Sequence, residues 1–160
     1  MRLAYIPVIF CVLSAPLWAQ EASEEAVHKF KVERHLFARS IHIGKDGLCL
    51  PAKNTQIKAW YVQGFPAEVP PFETCTTISS KTARGEVEFK LAIVSRSKEE
   101  ILVVDGVLDL GIDGKASQAI DWDHVKVPSG GIYHMVVEVE GKRIKKFPMK
   151  FALRKKKRRR

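Results

Sequence analysis

The feature that most constrains this chain is a two-residue rhythm that dominates its C-terminal half. Tyr133, Met135, Val137 and Val139 share one parity. A Gly141-Lys142 turn follows, and Phe147, Met149, Phe151 and Leu153 share one parity again. Residues 86–95 do the same, with Val87, Phe89, Leu91 and Ile93 opposed to Glu86, Glu88 and Lys90. Successive side chains of a strand point to opposite faces, so this rhythm specifies strands with one face buried. A helix would need apolar residues three and four apart, and the pattern does not supply them.

The remaining segments fit the same architecture. Residues 101–110 form a second strong apolar run, and the polar segment 96–99 before it is a hairpin turn. Residues 30–37, 40–43, 57–62 and 119–127 are further strands, with Trp122 as a core anchor. Asp113-Gly114 and the Pro128-Ser129-Gly130-Gly131 stretch are turns. Pro148 cannot donate to a ladder and places the last strand at a sheet edge or a bulge. Residues 64–83 lack strong periodicity and are expected to be a loop. The only helical signal is short, within 21–29. About seven strands with no helix between them predict an all-β, antiparallel β-sandwich in a single domain at 30–153, with a β-barrel as the structural alternative.

The Gly131-Ile132-Tyr133 step, the Val137-x-Val139-x-Gly141 strand end and the returning strand resemble the last hairpin of immunoglobulin-like sandwiches. With the Glu86-x-x-Phe89 strand, residues 85–153 also resemble a group of uncharacterised exported bacterial β-sandwich proteins. The Cys–Trp–Cys spacing of antibody domains is missing. The resemblance implies a fold and no catalytic residue.

Both ends of the chain carry other information. Arg2, a short apolar run and Leu17-Trp18-Ala19 precede an abruptly polar stretch from Gln20. That order is the signal-peptide pattern over residues 1–19, and a spanning helix would need about 20 apolar residues. It predicts export to the periplasm or beyond, with 20–29 a flexible segment. The alternative is an uncleaved anchor.

The chain ends in Arg154, Lys155, Lys156, Lys157, Arg158, Arg159 and Arg160. Setting these seven and Arg2 aside reduces the formal charge of +9 to +1 for residues 20–153. A run of like charge cannot bury apolar surface, so 154–160 is expected to be a disordered basic tail. Its partners outside the cytoplasm are polyanions: lipid head groups, acidic polysaccharide or extracellular DNA. A solvated tail with no dedicated ligand is the alternative.

Two cysteines remain after the leader, Cys49 and Cys75, and in an oxidising compartment they are expected to pair. Trp60, Tyr61, Phe65 and Phe72 lie around the segment they close, among Pro66, Pro70 and Pro71. These aromatics form either a stiffened contact loop, as for a protein partner, or a plug at one end of the core. Asp121, Asp123 and His124, with His134 from the next strand, are the sharpest polar cluster. They are the basis of an alternative reading as a secreted hydrolase or metal-binding protein, although their spacing matches no metal motif. No Gly-x-Ser-x-Gly elbow or phosphate-binding loop is present. The sequence therefore reads as a non-enzymatic binding or envelope-assembly module with no cofactor, metal or small-molecule substrate. The remaining alternative is a nucleic-acid-binding protein whose leader is misread.

Overall fold

The computed structural model describes residues 29–154. Among them it contains twelve strands and no helix: β1 (Phe30–Ala38), β2 (Ile41–Ile43), β3 (Cys49–Pro51), β4 (Trp60–Val62), β5 (Ala67–Glu68), β6 (Phe72–Ser80), β7 (Gly85–Val94), β8 (Glu100–Leu110), β9 (Lys115–Trp122), β10 (Lys126–Val127), β11 (Gly131–Val139) and β12 (Lys142–Leu153). The seven strands of eight residues or more (β1, β6, β7, β8, β9, β11 and β12) build the two main sheets. One sheet has the order β1–β6–β9, and the other β4–β12–β11–β7–β8. Two short ribbons, β2–β3 and β5–β10, stand apart from them. The leader, most of the segment 20–29, and the tail beyond Arg154 lie outside the described residues.

The alternation sets the register. Leu91 faces Val104 on β8 and Val137 on β11, and Tyr133 faces Met149 on β12. Val87, Phe89, Leu91 and Ile93 of β7, and Tyr133, Met135, Val137 and Val139 of β11, are all buried. They form one cluster with Val32, Phe72, Ile78 and Trp122 from the opposite sheet. Each such side chain removed from water contributes about 1.5–3 kcal/mol. The inner faces of two sheets therefore make one core, as in a sandwich. Both sheets have free edges, at β1, β9, β8 and along most of β12, so the structure is not a closed barrel.

The order β6–β9 in one sheet and β12–β11–β7–β8 in the other follows the B–E and G–F–C–C′ arrangement of immunoglobulin-like sandwiches. The Tyr133 hydroxyl donates to the Ser129 carbonyl at 3.0 Å, a tyrosine-corner bond at the start of β11. A parallel contact between β4 and the end of β12 completes the larger sheet.

Two expectations are corrected. Residues 64–83 are not a loop, because they hold β5 and the nine-residue β6, the centre of its sheet. β6 pairs with both β1 and β9, and it is buried on both faces, so its sequence shows no alternation. Finally, β9 begins at Lys115, four residues before the apolar run at 119.

Candidate functional site

The most distinctive surface is β12. It carries Lys142, Arg143, Lys145, Lys146 and Lys150, all exposed, and no carboxylate. β4 pairs only with residues 151–153, so β12 is a sheet edge from Lys142 to Lys150. Pro148, which has no N–H to offer, sits on this uncovered stretch. Phe147, Met149 and Phe151 anchor the strand to the core. Lys145 lies over the Phe147 ring at 5.4 Å from its centroid. Arg143 is 3.7 Å from the half-buried Glu138, and its own exposure keeps the pair's energetic weight small. The Arg154 N–H donates to the Val62 carbonyl at 2.7 Å.

From Lys142 to Arg160 the chain thus has twelve Lys or Arg and no Asp or Glu. Residues 20–141 hold fourteen Lys or Arg against eighteen Asp or Glu. The near-neutral average of the body conceals an acidic remainder and a basic last strand. Summing charge strand by strand reveals this; summing over the domain does not.

Cys49 and Cys75 are bonded, with Cα atoms 5.8 Å apart and both residues fully buried. The bridge fastens the β2–β3 ribbon onto the outer face of β6, where Leu36 and Ile41 join it in a second small cluster. The four aromatics of the expected contact loop do not form one exposed surface. Trp60 and Phe72 are core residues whose ring centroids lie 5.1 Å apart. Phe65 packs against the core and against Gly130, where an added Cβ would lie 2.9 Å from its ring. Only Tyr61 is presented to solvent, at 61% exposure, because alternation turns it away from Trp60 and Val62.

The acidic cluster is dispersed. Asp121 lies on the outer face of β9, since its neighbour Trp122 points into the core. His134 alternates with the buried Tyr133 and Met135, and so lies on the outer face of the opposite sheet. Both sheets separate the two. His124, at a positive φ of 56°, bonds instead to Glu68 of β5. Among the described residues, no group of three or more His, Cys, Asp or Glu is placed to hold a metal.

His35 is more unusual than its sequence context suggests. Its Nδ1 meets the Thr76 hydroxyl at 2.8 Å, and its ring stacks on Phe147 at 4.3 Å. Burial lowers its pKa to about 3, so the ring is neutral.

No protein-family model matches the chain, and no curated protein matches it. Among solved structures, a β-glucuronidase of Bifidobacterium dentium, complexed with coumarin-3-O-glucuronide, is similar over 78% of this chain and 17% of that one, with 13% identity and a TM-score of 0.38. The chain spans about a sixth of that enzyme's length. A likeness of this strength carries neither a fold assignment nor an activity to this chain.

Proposed function

We propose that this is an exported, non-enzymatic binding or envelope-assembly module of the immunoglobulin-like kind, held electrostatically to polyanionic surfaces by its basic last strand and tail. The observation that carries this reading is the unbroken basic character of residues 142–160 in the sequence, of which Lys142 to Lys150 lie on an exposed strand edge. The leader pattern and the bonded cysteines support export, since disulfides persist in oxidising compartments. The immunoglobulin-like strand order and tyrosine corner support kinship with exported sandwich proteins. Each Lys or Arg near an anionic surface contributes about 1 kcal/mol, within a Debye length of roughly 8 Å at physiological salt.

The test is a salt titration of binding to vesicles rich in phosphatidylglycerol. It compares the mature chain, a chain ending at Leu153, and a chain with the five β12 cations changed to Gln. Binding of the mature chain should weaken steeply with salt. Each variant should bind more weakly and with a shallower salt slope, with the folded circular dichroism spectrum retained. Equal binding by all three forms would refute the reading.

A further inference from the structure

A second basic feature lies at the opposite end of the sandwich from Arg154, where β6 passes to β7. There Lys31, Ser79 and Lys115 form one row across β1, β6 and β9. Their neighbours Val32 and Ile78 are buried in the core, so the row belongs to the outer face of the sheet. Adjacent strands are about 4.8 Å apart, which sets the two lysines about 10 Å apart at their backbones with the Ser79 hydroxyl between them. Lys29, Lys81 and Arg84 line the same cleft, which encloses about 820 Å³.

One cation of this cleft is held in place by hydrogen bonds. Arg84 donates from Nε to the Ile112 carbonyl at 2.8 Å, and from Nη1 to the carbonyls of Ala83 at 2.6 Å and Ser80 at 3.2 Å. A guanidinium held by three carbonyls is fixed in place. Gly114 makes room for it: at φ 72°, an added Cβ would fall 2.5 Å from Arg84 Nη1 and 2.2 Å from the Ser80 carbonyl. Two carboxylates oppose the five cations. Glu33 lies 3.5 Å from the Lys115 ammonium, and Asp113 accepts the Lys115 backbone N–H at 3.1 Å. Among the described residues, Lys31 and Lys81 form no ion pair and the Ser79 hydroxyl has no hydrogen-bond partner.

We propose that this cleft binds a phosphate group, free or esterified, over the Ser79 hydroxyl and between Lys31, Lys81 and Lys115. The chemistry is that of a concave surface of net positive charge, where field lines concentrate and charge-assisted hydrogen bonds to oxyanions are strong. Arg84, which lines the cleft, contributes a fixed positive charge. Glu33 competes with the ligand for Lys115.

The site is distinct from the basic strand and tail, and its test reads each residue separately. The full mature chain, labelled with ¹⁵N, is titrated with inorganic phosphate and with glucose 6-phosphate. Sodium chloride at equal ionic strength is the control. Saturable shifts should centre on the amides of Ser79, Ser80, Lys81 and Lys115. The Lys31→Ala/Lys81→Ala variant should bind about tenfold more weakly, and Glu33→Gln about threefold more tightly. Tighter binding of the ester than of the free ion would assign the rest of the cleft to the organic part, and equal binding would assign the site to the ion alone. Shifts that do not saturate, or that chloride reproduces, would overturn the proposal. If the double variant fails to fold, Glu33→Gln decides: unchanged affinity overturns the proposal.

Discussion

β6 and β7 follow one another in the chain and lie on opposite sides of the same core, yet they are held by different means. β7 reads Gly-Glu-Val-Glu-Phe-Lys-Leu-Ala-Ile-Val, and its inner face is apolar. β6 reads Phe-Glu-Thr-Cys-Thr-Thr-Ile-Ser-Ser, and Thr74, Thr76, Thr77 and Ser80 are all buried. Its inner face meets the core, and part of its outer face is covered by the β2–β3 ribbon through the Cys49–Cys75 bridge. The buried hydroxyls are used. Thr74 accepts from Trp122 Nε1 at 2.8 Å, Thr76 bonds His35, and Thr77 bonds Ser117 at 2.8 Å. One strand is thus fixed by apolar burial, which tolerates small shifts. The other is fixed by directional bonds and a covalent link, which do not.

If that contrast is right, the most damaging single change is a cavity at β7. Leu91 is fully buried in the middle of the larger sheet. Leu91→Ala should lower unfolding stability by about 3–4 kcal/mol, measured by urea denaturation, through lost transfer energy plus an unfilled cavity. A loss under 1 kcal/mol would mean that β7 is not the anchor claimed here. Next comes the staple. Changing Cys49 and Cys75 together to Ala should remove about 3.5 kcal/mol, the loop-closure term for a sequence separation of 26. Hydrogen exchange should then accelerate first in β2, β3 and β6, while β7 and β11 stay protected. Uniform acceleration across both sheets would dissolve the distinction.

The same contrast explains what could be read from the sequence. β7 and the β11–β12 hairpin were legible because alternation is printed into their residues, and β8 was legible as an apolar run. β6 was not, because a strand covered on both sides prints none, and its Thr, Ser and Cys residues resemble a loop. The cleft at Lys31, Ser79 and Lys115 was illegible for the same reason, since only the register of β6 brings those residues together. The basic edge was visible in the residues of β12 but hidden by averaging over the domain. The dispersal of Asp121 and His134 could not be foreseen without knowing that their strands belong to different sheets.

A smaller effect isolates the hydroxyls. Thr74→Val keeps the shape of the side chain but leaves the buried Trp122 Nε1 without its acceptor. An unsatisfied buried donor costs about 1–3 kcal/mol, so a loss near 2 kcal/mol is expected in the urea midpoint. A neutral or stabilising result would place β6 with β7, as a strand fixed by apolar contact.

The finest test uses pH, because His35 is where the polar side of β6 meets the basic edge of β12. Its ring lies between Thr76 and Phe147, and its Nε2 is buried without a partner among the described residues. Burial lowers the pKa from 6.5 to about 3 in the folded chain. Between those values the unfolded chain binds the proton and the folded chain does not. The contribution is therefore fully present above pH 6.5 and is lost as pH falls towards 3. The slope is at most about 1.4 kcal/mol per pH unit. Carboxylates titrate near the lower end of this range, so the informative window is pH 6.5 to 4.5, where His35 dominates. Stability of the native chain should fall across that window, whereas His35→Phe should give a nearly flat profile there, whatever its absolute stability. The loss of the Thr76 bond shifts the whole curve and leaves its slope unchanged, so the two effects separate. Parallel slopes in the two proteins would mean that His35 takes up its proton without penalty, and that the junction between β1, β6 and β12 opens to water.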